Sequence, residues 1–360
     1  MSKQTRSRLI NLLLIIVPIL LVLYIGFRNG DIDDAWKTLI GSEPRWLLMC
    51  FLSWCVYVLF ETLVPHMVLR FGHVPVSFGT SLTVSLIGIF YSNVTPGATG
   101  GQPMQIYAFK KRGIPSGYSS SALAVKFFCY QAGLLIPAAI LWITHASFVA
   151  EHIAASRWFI GIGFVVNGLT IAAVILLAIS RDLVRGIITL ILNIASKLRI
   201  VKDLSRSASR MDAALDDFHA SVQMILHHPL QLLFLILLSS IQVCGLISIL
   251  YFAARAVGVD GYSYGQLVTL AYLLFIGASF TPLPGGSGAQ EGGFYLFFQN
   301  IFPADRLLGG LLLWRFFNYY FPLLLTLLFG VVPDSLRTVR GMPPKEEGDA
   351  GTDDENGRPG

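Results

Sequence analysis

The sequence has 360 residues, of which 54% are hydrophobic and only 13% charged, with 26 Lys and Arg against 21 Asp and Glu. Soluble domains carry about 25% charged residues, so this composition excludes an ordinary soluble domain and describes a polytopic membrane protein. Cys50, Cys55, Cys129 and Cys244 all fall in apolar stretches without metal-ligand spacing, so neither a disulfide framework nor a zinc site is expected.

The first apolar segment, residues 9–27, is 19 residues long. It exceeds the signal-peptide core of about 7 to 15 residues and has no small-residue cleavage site, so it reads as a retained span after a short cytoplasmic tail, residues 1–8. Five further segments approach or exceed the roughly 20 residues a spanning helix needs: 46–69, 118–144, 158–179, 229–257 and 307–332. Two shorter ones, 78–94 and 265–280, each run into a glycine- and proline-rich stretch. Residues 96–103 read PGATGGQP and residues 280–294 read FTPLPGGSGAQEGGF. Helix-breaking backbone at membrane depth is tolerated only where protein buries it or where it lines a cavity.

The two stretches are copies of one pattern. Without a gap, Pro96, Gly97, Gly100 and Gln102 align with Pro284, Gly285, Gly288 and Gln290, and Thr99 faces Ser287. Downstream, KFFCYQAGLL from Lys126 matches RFFNYYFPLL from Arg315; the two matches lie 188 and 189 residues apart, which indicates an internal duplication.

Lys and Arg counts set orientation. With the N-terminus inside and each broken segment folded as a hairpin that returns to its starting side, 18 basic residues lie in the cytoplasm and six outside, with Lys126 and Arg315 in the membrane. Under that layout the two copies, about 46–144 and 229–332, are inverted, a recurrent transporter architecture. Trp46, Trp142 and Trp158 then fall at outer helix ends, as an aromatic belt would. Lys110, Lys111 and Arg112 border a span and read as a topogenic anchor, not a nucleic-acid patch. Between the copies, about 181–228, Leu204, Ala208, Met211, Leu215, Phe218, Val222 and Ile225 recur at helical spacing with charges elsewhere on the wheel. This connector either packs on the bundle or lies on the inner leaflet. The tail, residues 333–360, is polar and expected to be disordered and cytoplasmic.

Glu61, Lys126, Glu291 and Arg315 sit where charge is costly, at about 2.5 to 3.5 kcal/mol each on insertion scales. Each should be paired or face water. Glu61 and Lys126 both lie about 12 Å from the inner boundary at 1.5 Å per residue, and Arg315 mirrors Lys126 near Glu291, so the expected pairs are Glu61–Lys126 and Glu291–Arg315. Such pairs can simply fix helix register. A binding role is favoured by the loops: a short helix should begin near Gln102 and near Gln290, turning its free N–H groups and positive end toward the interior. Together with Lys126 and Arg315 these ends would form an anion site, although Gln102 and Gln290 are equally readable as helix caps. His145, His152, His227 and His228 read as surface residues. The glycine stretches match neither nucleotide-binding pattern, and no metal or cofactor is expected.

The stretches SNVTPGATGGQPMQIYAFKKRGI, FTPLPGGSGAQEGGF and LLLWRFFNYYFPLL resemble the membrane region of the lysylphosphatidylglycerol synthase family, also described as a flippase-like domain, over nearly the whole chain. In bifunctional members this region precedes an aminoacyl transferase domain that charges phosphatidylglycerol with lysine from tRNA, and the membrane region moves the product between leaflets. Only residues 333–360 follow the last span here, so the resemblance implies the translocating part and not aminoacylation. It marks Pro96, Gly97, Gly100, Gly101 and Gln102 in the first loop, Pro284, Gly285, Gly288 and Glu291 in the second, and Arg315. Lys126 stands where many relatives carry Arg, which keeps the charge and loses the fork geometry.

The expectation is therefore an all-α polytopic membrane protein with six full spans and two re-entrant hairpins in an inverted repeat, residues 9–332, in a bacterial-type inner membrane with both termini cytoplasmic. Its function would be translocation of an anionic or amino-modified phospholipid, as flippase or scramblase, driven by an ion gradient or downhill flow. Membrane phospholipid is the expected partner, with a second copy or a lipid-biosynthesis enzyme as further candidates and no nucleic acid. The competing readings are a lipid-modifying enzyme or its accessory subunit, and an ion-coupled transporter of a small anion.

Overall fold

The structure is a computed structural model that describes residues 32–153, 157–180, 182–183, 185–186, 223 and 227–332. The expected span at 9–27, nearly all of the connector and the 333–360 tail lie outside these residues. Every regular element among the described residues is helical.

A short helix, α1 (Ile32–Ile40), precedes α2 (Pro44–Phe71). Pro44 suits the first turn of α2, where its missing N–H has no intrahelical partner to lose. Next comes α3 (Phe78–Val94), opened by Ser77, whose hydroxyl accepts from the Thr80 N–H. It stops because Thr95 precedes a proline and is extended (φ −108°, ψ 144°), the conformation that such a residue prefers. A tight turn, Pro96–Ala98, leads into α4 (Gly101–Lys110), and then come α5 (Ser116–Thr144), α6 (Ala146–Ile153) and α7 (Arg157–Ile179).

The second half repeats the plan. After α8 (Pro229–Ala256), α9 (Tyr264–Ala278) starts on a reciprocal cap between Ser263 and Gln266. The turn Pro284–Gly286 follows, then α10 (Ala289–Phe298), α11 (Ala304–Arg315) and α12 (Phe321–Thr326). Among the described residues five helices are long and apolar enough to cross a bilayer: Pro44–Phe71, Ser116–Thr144, Trp158–Leu176, Pro229–Ala256 and Ala304–Val331. They coincide with five of the six expected spans, and the chain is an all-α polytopic membrane protein. The short helices α1 and α6 were not expected.

The last span is not a regular α-helix. Widened turns occupy Phe316–Tyr320 and Leu327–Val331, with the Phe321 N–H bonded to the Phe316 carbonyl. Pro322 supplies the reason for the first: it has no N–H to offer the carbonyl one turn back, and its ring would crowd it. Wide turns of this kind are frequent at functional sites, and this one directly follows Arg315.

Between lipid-facing helices apolar surface alone supplies little driving force, so close packing and polar contacts carry the association. Leu169, Val165 and Ile143 are exposed at 65%, 61% and 78%, which suits contact with acyl chains. Inside, α2 packs most extensively on α8, α8 also packs on α5, and α7 lies on α9. A Cβ on Gly163 of α7 would sit 2.4 Å from the Ile276 carbonyl oxygen of α9, so only glycine permits that approach. Helix α4 packs back on α3, α10 packs on α9, and the two turns touch each other. Segments from the two halves of the chain thus meet in the interior.

Candidate functional site

Arg315, from the end of α11, is fully buried and held by the second loop. Its Nη1 donates to Gln290 Oε1 at 2.7 Å and to the Gly285 carbonyl at 3.3 Å, and its Nη2 donates to Ser287 Oγ at 3.3 Å. Its Nε lies 2.7 Å from Glu291 Oε1, an ion-pair contact whose N–H is not aligned for a hydrogen bond. The other Glu291 oxygen accepts from the Gly288 N–H at 2.6 Å. Glu291 therefore neutralises the cation and also occupies the positive end of α10, where an acidic side chain is favoured.

Tyr319, one turn after Arg315, carries the guanidinium over its ring at 4.8 Å and donates from its hydroxyl to the Asn93 carbonyl at 3.1 Å. Gly285 has φ 61°, and a Cβ there would lie 2.2 Å from the Tyr319 ring, so both backbone conformation and space require glycine.

The first loop copies the left-handed start of the second at Gly97 but not its later backbone, since Gly100 has φ −82° where Gly288 has φ 87°, nor its charge. Gly97 has φ 58°, and Thr99 Oγ1 donates to the Pro96 carbonyl at 2.9 Å as Ser287 Oγ does to the Pro284 carbonyl at 2.9 Å. Where Glu291 caps the Gly288 N–H, Thr95 Oγ1 accepts from the Gly100 N–H at 2.8 Å. Pro103 stands at the position matching Glu291. Helices begin at Gly101 and Ala289, next to the expected Gln102 and Gln290, yet Gln102 and Thr99 are exposed whereas Gln290 and Ser287 are buried.

Lys126 pairs with Glu61, and Gln242 Nε2 donates to the other Glu61 oxygen at 2.6 Å. The side chains of Lys126 and Glu61 are 12% and 8% exposed, so the pair is largely withdrawn from lipid. Helical spacing places Tyr57 one turn from Glu61 and Tyr130 one turn from Lys126.

Between the loops lies a cavity of about 420 Å³, within the usual range of about 300 to 1,000 Å³ for small-ligand sites. Its wall includes Gly97 and Ala98 from the first turn, Gly285 and Gly286 from the second, and Arg315, Gln290, Asn318 and Tyr319. Tyr57 and Tyr130 line it as well, whereas Glu61 and Lys126 do not. The two cations thus do not converge on one point: Arg315 is in the wall and Lys126 is a helical turn removed.

Sequence reasoning missed a chain of polar groups in the cavity wall. Gln131 Nε2 donates to Asn167 Oδ1 at 3.0 Å, Asn167 Nδ2 donates to Ser279 Oγ at 2.6 Å, and Ser279 Oγ donates to the Ile276 carbonyl at 2.7 Å. All three side chains line the cavity and join α5, α7 and the end of α9. The signal was present, since Asn167 is a lone amide in an otherwise apolar span. His145 and His152, expected at the surface, are half-buried, with His152 tilted against Phe148 at 4.2 Å. His227 and His228 are exposed. No group of three His, Cys, Asp or Glu side chains suited to a metal occurs among the described residues.

Fold and site together define a multi-pass helical membrane protein with a cavity of mixed polar and apolar lining between two glycine-loop helix pairs. The chain belongs to the family of the lysylphosphatidylglycerol synthase transmembrane region, which it matches over residues 8–326. Among curated relatives, a UPF0104 membrane protein of Pyrococcus horikoshii is 33% identical over 108 residues, 30% of this chain and 32% of the relative. One of Methanothermobacter thermautotrophicus is 29% identical over 122 residues, 33% of this chain and 34% of the relative, so both alignments span about a third of the relative's length. One of Archaeoglobus fulgidus is 22% identical over 302 residues, 82% of this chain and 88% of the relative.

Proposed function

We propose that the protein moves a phospholipid or related lipid across the bilayer, the headgroup passing through the cavity between the loops while the acyl chains stay in lipid. The cavity itself carries this reading: about 420 Å³ whose wall sets amides, hydroxyls and a guanidinium among a larger apolar and aromatic lining, inside a chain with an apolar exterior. Polar groups at membrane depth are expensive and mark substrate pathways. In this reading residues 46–144 and 229–332 form an inverted repeat, each loop belongs to a re-entrant hairpin, and both termini are cytoplasmic in a bacterial-type inner membrane.

Each part has a role in the cycle. The left-handed Gly97 and Gly285 let the chain turn sharply beside the cavity, and displacement of either turn opens it toward one leaflet. The Tyr319–Asn93 hydrogen bond ties the halves together while the cavity is closed. Polar side chains of the cavity wall, Tyr57, Tyr130, Gln131 and Asn318 among them, replace headgroup hydration, while Arg315 and the Asn167–Ser279 contact hold the wall in shape. The Glu61–Lys126 pair holds α2 to α5 behind the tyrosines.

Leaflet exchange of fluorescent phospholipids in proteoliposomes, with and without an imposed proton gradient, tests the proposal. Protein-dependent exchange supports it. Uptake of a water-soluble anion without lipid exchange would favour a solute transporter, and turnover of a purified group donor would favour an enzyme. In a background without Cys50, Cys55, Cys129 and Cys244, labelling of the K111C variant by an impermeant reagent from outside intact cells would remove the inverted-repeat layout.

A further inference from the structure

We infer that the headgroup this cavity takes is uncharged and polyhydroxylated, of sugar or polyol type; the inference rests on the cavity being a headgroup site. Among the described residues Arg315 is the only charged side chain lining it. Its guanidinium already meets the Gly285 carbonyl, Gln290 Oε1, Ser287 Oγ and the Glu291 carboxylate. The wall is therefore electrically neutral. A ligand with a net negative charge would enter a weakly polarisable interior without a counter-charge unless it expelled Glu291, and leaving either carboxylate unpaired there is costly.

The uncommitted groups have the matching character. Among the described residues no hydrogen bond engages Tyr57 Oη, Tyr130 Oη, the Asn93 side-chain amide, Gln131 Oε1 or Asn318 Oδ1, and all five residues line the cavity. An anion uses donors only. This set mixes acceptors (Gln131 and Asn318 oxygens), donor-acceptors (two tyrosine hydroxyls) and an amide offering both, and an alcohol hydroxyl is itself both donor and acceptor. Trp54, Phe127 and Phe275 complete the wall with aromatic surface, against which the C–H faces of a sugar or cyclitol ring can lie.

The test uses the purified full chain in a fluorinated detergent and follows thermal unfolding with four probes. Three are dioctanoylglycerol lipids with a glucosyl, a phosphoglycerol or a phosphocholine headgroup, and the fourth is methyl glucoside. The glucosyl lipid should bind at least tenfold more tightly than the two phospholipids. Tyr130→Phe and Asn318→Leu should each weaken it about three- to tenfold, the loss of one buried hydrogen bond, with ligand-free melting temperatures confirming that both variants fold. Tighter binding of the phosphoglycerol lipid, a glucosyl response untouched by both variants, or no response to any probe would overturn the inference. Equal binding of methyl glucoside would keep the polyhydroxyl class and count against a lipid substrate. Leaflet exchange separates the two readings: exchange of anionic but not glucosyl lipid would overturn the inference and keep translocation, whereas glucosyl binding without exchange of any lipid would do the reverse.

Discussion

Tyr319 joins the two halves of the molecule through a hydrogen bond from its hydroxyl to the Asn93 carbonyl at 3.1 Å, while its ring lies against Gly285. Asn93 is at the end of α3 and Gly285 is in the second turn, so one side chain bridges both loops. Tyr319→Phe removes only the hydroxyl. It should lower stability by about 0.5 to 1.5 kcal/mol and raise deuterium uptake at residues 93–100, with little change at residues 284–288. Equal uptake in both variants would deny Tyr319 this bridging role.

The two left-handed glycines should differ in tolerance. At Gly97 a Cβ meets nothing closer than 3.9 Å, so Gly97→Ala bears only the left-handed strain of about 1 to 2 kcal/mol. Gly285→Ala adds a clash with the Tyr319 ring at 2.2 Å. Melting temperatures should fall further for Gly285→Ala, and Tyr319→Ala in the same chain should recover part of that difference.

Breaking one partner of a buried ion pair costs about 3 to 5 kcal/mol because the other charge is stranded. Glu291→Gln and Arg315→Gln should each destabilise strongly, and the double variant by much less than their sum. A double-mutant cycle on thermal unfolding measures this coupling. Additive losses would mean that the 2.7 Å contact contributes nothing.

Glu61–Lys126 should form a separate unit. Lys126→Met strands a carboxylate that Gln242 alone then holds, and Glu61→Gln in the same chain should restore most of the loss. Between the pairs, Lys126→Met and Arg315→Gln should add within about 0.5 kcal/mol, as expected for sites without shared partners. Strong coupling between them would instead point to one joint charge cluster.

The residues most legible in the sequence were those whose isolation is most costly. Each of Glu61, Lys126, Glu291 and Arg315 demanded a partner, and helix register and loop position were enough to name it. Proline and glycine likewise marked both turns, because left-handed backbone favours glycine, although the first turn also holds a left-handed Ala98 that no glycine signalled. What pattern could not give was orientation within the copies. Gln102 and Gln290 align in sequence, yet only Gln290 is drawn inward, because Arg315 reaches it while Lys126 is engaged by Glu61. The capping carboxylate has no counterpart at Pro103, so only the second loop carries charge.

Lone amides and tyrosines were harder to read. Asn167 and Gln131 meet across helices that are distant in sequence, and the order of helix packing had to be known first. Tyr57 and Tyr130 lie at helical spacing from Glu61 and Lys126, a relation visible in the sequence but shared with many aromatic residues of apolar helices. The wide turn after Arg315 was signalled by Pro322, which an otherwise uniform apolar run concealed.

The most direct test of the cavity as a lipid passage is leaflet exchange through a plugged variant. Val166 is exposed on α7 and lines the cavity, so Val166→Trp narrows the passage without touching either ion pair. Fluorescent-lipid exchange would be compared between wild type and V166W at matched reconstitution, after confirming equal melting temperatures. The account predicts exchange by the wild type that falls at least tenfold in the variant. Equal exchange by both proteins would contradict a route through this cavity.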